Sequence, residues 1–205
     1  MSDRAFYVWE DISPLSYLLT QFEVVAHYLR LAVWPTELCL DYRWPPVAAL
    51  RAVLPEAILI AALAGGALWL VLRRRPAGFA GAWFFLILAP TSTVAARPDC
   101  AFDHRMYLPL AGVVSIIVIG SARVVGKFAR PGFLRVFAAA LVCGLAFMTH
   151  ARNSDYRTEV TMWQDVVNKR PANLRARNDL AGALSEEGRT EEALVEFNRV
   201  LAAIP

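Results

Sequence analysis

Cysteine is scarce, with three in 205 residues, which excludes a small secreted scaffold stapled by disulfides. Charge is scarce too. Asp, Glu, Lys and Arg make up 19% of the chain, the net charge is +3, and no run of Lys and Arg exceeds three residues. A nucleic-acid-binding chain carries a basic stripe, and none is present, so no nucleic-acid partner is expected. The chain has no glycine-rich phosphate loop, no nucleophile elbow and no HExxH. His27 and His150 stand alone, and no group of His, Cys, Asp and Glu has metal-ligand spacing, so no structural metal site is expected. What the chain has in excess is apolar surface. Hydrophobic residues make up 57% and the mean hydropathy is +0.41, against about 45–50% apolar residues in a soluble domain. That is also too apolar for a disordered chain.

The excess is localised. Residues 52–72 read AVLPEAILIAALAGGALWLVL, with Glu56 as their one charge, and Arg73, Arg74 and Arg75 follow directly. Residues 76–96 carry no charge, residues 106–122 carry none, and residues 133–149 carry Arg135 alone. A bilayer core takes about 20 apolar residues per helix. The sequence therefore predicts four membrane-spanning helices within 52–150, near 52–72, 76–96, 106–122 and 133–149. The first is not a signal peptide, because a mixed segment precedes it and its charges follow the apolar run. Seven basic residues (Arg73, Arg74, Arg75, Arg123, Lys127, Arg130 and Arg135) fall on one side of these spans, against Arg97 and Arg105 in the loop between the second and third. The excess of positive charge marks the cytoplasmic side. Residues 1–51, the loop 97–105 and everything after His150 are then expected outside, although Arg43 and Arg51 also fall there.

In the outer segment 1–51, residues 15–34 read LSYLLTQFEVVAHYLRLAVW. Leu15, Leu18, Leu19, Phe22, Val25, Tyr28, Leu29 and Ala32 recur at helical spacing, while Glu23, His27 and Arg30 share another face. Ser13-Pro14 is a helix start and Pro35 a stop. The charges favour a helix in the interface plane; a tilted or re-entrant helix packed on protein is the competing reading. At the other end, residues 151–205 turn polar. In 174–205, Leu180, Ala181, Leu184, Gly188, Ala193, Phe197 and Pro205 fall at the spacing of a tetratricopeptide repeat. Gly188 is expected to make the turn, Ala181 and Ala193 the helix crossing, and Phe197 the contact to a neighbour; Val200 departs from the pattern, which favours a small residue there. Pro171 precedes Pro205 by one repeat length, so Trp163 matches Phe197 and Val166 matches Val200. Residues 156–171 thus read as half of a preceding repeat. A generic amphipathic hairpin is the plainer alternative. Repeats need neighbours to bury their faces, so more repeats are expected in a parent protein. The predicted fold class is all-α: multispan membrane helices followed by a tetratricopeptide-type hairpin.

Four stretches carry a family resemblance: SYLLTQFEVVAHYLRLAVWPTELCLDYRWP (16–45), FFLILAPTST (84–93), DHRMYLPLAG (103–112) and RNSDYRTEVTMWQDVVNKRPANLRARNDLAGAL (152–184). With them the chain resembles bacterial membrane proteins that carry a C-terminal tetratricopeptide array. These are similar to the transmembrane and tetratricopeptide-repeat O-mannosyltransferases of the C-type glycosyltransferase superfamily. The resemblance implies a multispan enzyme of the bacterial inner membrane with periplasmic repeats. It would use a polyprenyl-phosphate sugar and recruit an acceptor protein through the repeats. It also implies an essential acidic residue in an earlier outer loop that would precede Met1. Asp3, Glu10 and Asp11 follow no span and are not assigned that role, so no catalytic residue is assigned. A divalent cation is permitted in the parent enzyme, with no cofactor held by this chain.

Asp103, His104, Arg105 and Tyr107 form the sharpest constellation, just before the third span. Arg105 offers a fork of donors at the membrane surface, suited to a lipid phosphate. The family usually has Glu where Asp103 stands. The alternative is an interfacial anchor, since Arg and Tyr are common at membrane boundaries. Asp41, followed by Tyr42, could meet Arg105 or Arg43, and reads more plainly as a turn or cap carboxylate. Arg152, Tyr156 and Trp163 are candidates for an acceptor wall or for packing, with Asp155 and Arg157 beside them. Cys143 reads as a small apolar residue within a span, and Cys39 and Cys100 are both placed where a disulfide is permitted. The alternative function is a non-catalytic, membrane-anchored repeat adaptor that gathers envelope proteins.

Overall fold

The computed structural model describes residues 12–36, 38–93, 101, 103–127 and 131–203. Among the described residues it is all-α, with eight α-helices and two short 3₁₀ turns and no strand. Three helices are long and apolar enough to cross a membrane, spanning Leu50–Leu72, Tyr107–Val125 and Arg135–Ser154; Pro76–Pro90 is apolar but shorter. The chain is a helical membrane protein. Its described residues fall into two compact units: 12–38 with 43–127, and 39–42 with 131–203.

The first unit begins with α1, Pro14–Val33, whose N-cap Ser13 accepts from the Ser16 amide. A side-chain oxygen at that position satisfies one of the orphan donors of a helix start. A 3₁₀ turn, Leu50–Val53, leads into α2, Leu54–Leu72. The turn Arg73–Arg75 then reverses the chain into α3, Pro76–Thr93. Arg75 N–H donates to the Leu70 carbonyl at 2.9 Å and Arg74 N–H to Val71 at 2.8 Å, closing α2 with Arg74 at φ +52°. Glycine usually fills that left-handed position after a helix. α4 covers Tyr107–Val125.

Small residues bring α2, α3 and α4 together. A Cβ on Gly81 of α3 would lie 2.8 Å from the Ala67 side chain of α2. One on Gly112 of α4 would lie 2.6 Å from the Ala80 carbonyl of α3. Close backbone approach at such residues is how membrane helices pack where lipid offers no hydrophobic drive. Trp83 Nε1 donates to the Leu108 carbonyl at 2.9 Å. The pairings 80 with 112 and 83 with 108 run α3 and α4 antiparallel. Most side chains of α2 and α4 remain exposed, including Ile58, Leu68, Ile116 and Val118, as befits surface covered by lipid.

The residues that α1 buries are Tyr17, Leu19, Thr20, Gln21, Val24, Val25 and Tyr28. The beginning of the apolar stripe, at Leu15 and Leu18, is exposed. The buried face thus combines part of that stripe (Leu19, Val25 and Tyr28) with Tyr17, Thr20, Gln21 and Val24. Residues 43–49 return along that face. Ser16 Oγ donates to the Val47 carbonyl at 2.6 Å, Val47 N–H donates to Thr20 Oγ1 at 2.8 Å, and Trp44 Nε1 donates to Glu23 at 2.9 Å. The Trp44 ring lies 5.0 Å from that of His27. The return segment thereby satisfies polar groups of α1 that hydrocarbon would not.

The second unit contains α5, Pro131–Ser154, α6, Glu159–Lys169, α7, Leu174–Glu186, and α8, Thr190–Ala203. Thr158 and Thr161 form a reciprocal capping box at the start of α6. Asn173 caps α7. α7 and α8 form a hairpin turned by Gly188 at φ +79°, with Arg189 N–H donating to Leu184 at 2.9 Å. Ala181 and Ala193 are buried at the crossing, and Leu180, Leu184 and Val200 fill the space between helices. A fully buried Leu such as Leu180 contributes about 1.5–3 kcal/mol. Phe197 and Trp163 are half-buried. Pro205, which closes the predicted repeat, lies outside the described residues.

Candidate functional site

Two clusters hold the residues singled out in the sequence, one in each unit. In the first unit, a 3₁₀ turn over Asp103–Met106 delivers the chain into α4. Arg105 Nη1 reaches the Tyr17 hydroxyl of α1 at 3.4 Å, across 88 residues of sequence. Tyr17 is 1% exposed, and Arg105 is half-buried. The guanidinium is thus held against a buried phenol. Tyr107 is 78% exposed, an amphipathic ring at the end of an apolar helix, where aromatic belts form. The side chains of Asp103 and His104 lie outside the described residues.

Tyr17 is the member of this cluster that the sequence reading missed. The available signal was its place on one helical face with Thr20, Val24 and Tyr28, all buried.

The second cluster joins α5 to α6. Arg152 Nη1 contacts Asp165 Oδ2 at 2.6 Å and Asp155 Oδ2 at 2.8 Å, and Nη2 donates to the Tyr156 hydroxyl at 2.9 Å. The guanidinium carbon also sits 4.8 Å from the centre of the Tyr156 ring. Lys169 Nζ meets Asp165 Oδ1 at 2.7 Å. Burial alone would raise the Asp165 carboxyl, but hydrogen bonds from Lys169 and Arg152 outweigh it and hold the pKa below the ordinary value. Arg152 and Tyr156 are therefore brought together, and their donors and ring are spent on fixing α6 to the end of α5. Trp163 makes none of the hydrogen bonds described in this network.

In the same unit, Cys39, Asp41 and Tyr42 are buried. Asn173 Nδ2 donates to the Asp41 carbonyl at 3.3 Å, and Arg170 lies 5.6 Å over the Tyr42 ring. Cys39 is a free thiol that contacts the Asp41 carbonyl at 3.4 Å. Burial is the main cause that pushes its pKa up. Cys100 lies outside the described residues. Among the described residues no group of three or more His, Cys, Asp and Glu is placed to hold a metal ion.

Fold and sites together define a helical membrane protein that carries an α-helical hairpin beyond its last apolar helix. It is similar to Protein O-mannosyl-transferase Tmtc3 of Drosophila melanogaster, 28% identical over 122 residues that cover 58% of this chain and 13% of that protein. It is also similar to Protein O-mannosyl-transferase TMTC1 of Mus musculus, 23% identical over 216 residues, covering 96% of this chain and 23% of that protein. The chain thus spans less than a quarter of these curated relatives. No family model matches it, and no solved structure does.

Proposed function

We propose that this chain is the membrane-embedded part of a polyprenyl-phosphate-sugar-dependent glycosyltransferase of the protein O-mannosyltransferase type. The observation that carries the reading is the Arg105–Tyr17 pair. It presents a guanidinium at the mouth of α4, held by a buried hydroxyl, in a chain whose likeness to an O-mannosyl-transferase covers 96% of its length. Such a fork binds a phosphate through two parallel donors, and the end of an apolar helix is the depth of a lipid head group. Asp103, His104 and Tyr107 belong to the same proposed surface. No catalytic residue is assigned in this chain, and the divalent cation open to such an enzyme is assigned no ligand here.

The hairpin α7–α8, with α6 before it, is read as tetratricopeptide-type. It would recruit an acceptor protein on the periplasmic side of a bacterial inner membrane. Parity supports four crossings between residues 42 and 159. Segment 39–42 is bonded to Asn173, so the chain must cross an even number of times between them. α2, α4 and α5 make three; α3, antiparallel to α4 and eighteen residues long, supplies the fourth.

The test is transfer of mannose from polyprenyl-phosphate mannose in membranes carrying the full native polypeptide. Arg105→Ala should abolish transfer with insertion and abundance unchanged, and Arg105→Lys should restore only part, because the bidentate fork is lost. Unchanged transfer in Arg105→Ala would reduce the pair to an anchor. No transfer by the unaltered protein would favour the adaptor.

A further inference from the structure

The turn between α2 and α3 sets three arginines, Arg73, Arg74 and Arg75, side by side and exposed. Among the described residues no carboxylate forms an ion pair with them. Directly between the helices that this turn joins lies an open groove of about 370 Å³, lined by Gly66 and Leu70 of α2, Ala77, Gly81 and Phe84 of α3 and Ile117 of α4. Its lining is almost wholly apolar. Leu70 and Ala77 bring its floor to within three residues of the arginines on either side. From Ala77 to Phe84 it follows α3 for about 10 Å. Trp69, 57% exposed, lies under Arg73 at 5.6 Å, which marks the level where an aromatic ring meets the head-group layer.

We propose that this groove is a binding site for one bilayer phospholipid with an anionic head group. One acyl chain lies along Gly66 and Gly81, and the phosphate rests on the Arg73–Arg75 turn. Charge complementarity selects the occupant. An apolar groove on a membrane helix accepts any hydrocarbon chain, but three adjacent guanidinium groups at its open end favour a head group with net negative charge. Basic pockets between membrane helices are where such lipids are held. Arg105 stands at the opposite end of α4 from this turn, because α3 and α4 run antiparallel, so the site is separate from the proposed sugar-donor surface and does not depend on that reading.

The experiment is native mass spectrometry of the protein released from vesicles of phosphatidylcholine and phosphatidylglycerol in equal parts, with polyprenyl phosphate added in a second arm. The expected result is one retained phosphatidylglycerol per chain. R73Q/R74Q/R75Q should weaken retention by at least about tenfold. Gly66→Leu, where an added Cβ meets nothing within 4 Å, should exclude the chain while leaving the fold intact by circular dichroism. Should the arginine variant not insert, the glycine variant carries the test alone. Equal retention of phosphatidylcholine, displacement by polyprenyl phosphate, or unchanged binding in Gly66→Leu would overturn the proposal.

Discussion

Asn173 holds Asp41 through its side-chain amide, 3.3 Å from Nδ2 to the carbonyl, across 132 residues of sequence. The same side chain accepts from the Ala176 amide at 3.1 Å and so caps α7. One residue therefore starts a helix with its oxygen and straps a distant extended segment with its nitrogen. Substitution can separate the two tasks. Asn173→Asp keeps the capping acceptor and removes the donor; Asn173→Ala removes both. The alanine variant should lose about 1 kcal/mol of α7 stability, and the aspartate variant much less. Both should free the strap. Cys39 reports this, because its buried thiol, pushed up in pKa by desolvation, reacts slowly while the segment is held. In a Cys100→Ser, Cys143→Ser background, maleimide labelling of Cys39 should quicken in both variants. Labelling that stays slow in Asn173→Asp would show that the amide bond does not hold the segment.

That strap was not legible in the sequence, whereas the hairpin it joins was. Gly188, Ala181 and Ala193 announce a turn and a crossing because each role admits few residue types, and the periodicity of Leu180 and Leu184 is local. The reading of Asp41 as a turn or cap carboxylate missed that its backbone carbonyl takes part, since main-chain acceptors carry no residue-specific signal. The stripe of α1 was legible from its spacing, but not which of its members meet protein: Leu19, Val25 and Tyr28 are buried beside Thr20 and Gln21, while Leu15 and Leu18 are exposed. Arg105 was legible as a donor at the membrane edge; its partner Tyr17 was not, because 88 residues separate them.

If α3 crosses, Arg75 and Lys127 lie on one face of the membrane and Glu187 on the other. Single cysteines at Arg75→Cys, Lys127→Cys and Glu187→Cys, in a background with Cys39, Cys100 and Cys143 replaced by serine, should label accordingly with an impermeant maleimide in intact cells. Labelling of Arg75→Cys and Lys127→Cys from opposite faces would remove α3 from the crossing helices.

Packing in the first unit rests on Gly112. A side chain there would collide with the Ala80 carbonyl, 2.6 Å from an ideal Cβ, and backbone cannot move aside as a flexible side chain can. Gly112→Leu should separate α3 from α4, break the Trp83–Leu108 bond and lower the unfolding temperature in detergent, at a cost of about 1–3 kcal/mol for overpacking. Gly120→Leu on the same helix, where an added Cβ meets nothing within 4 Å, is the control and should have little effect. Equal losses in the two variants would assign the effect to helix composition instead of the α3–α4 contact.

The junction of α5 and α6 should respond to acid through Asp165. Its carboxyl titrates below the ordinary value in the folded protein, since hydrogen bonds from Lys169 and Arg152 outweigh the burial that opposes them. A group whose pKa falls on folding stabilises the folded state while ionised. Its contribution is therefore complete above the ordinary aspartate value of about 3.9 and is lost as pH falls through the lower folded value. Trp163 lies two residues away on α6 and half-buried, a local probe of that helix. Thermal unfolding followed at Trp163, with the other five tryptophans replaced by phenylalanine, should show a midpoint that drops as pH falls below about 4. Asp165→Asn should lower the midpoint at neutral pH and flatten this dependence, leaving Arg152 with Asp155 and Tyr156 alone. An unaltered acid slope in that variant would place the titrating group elsewhere.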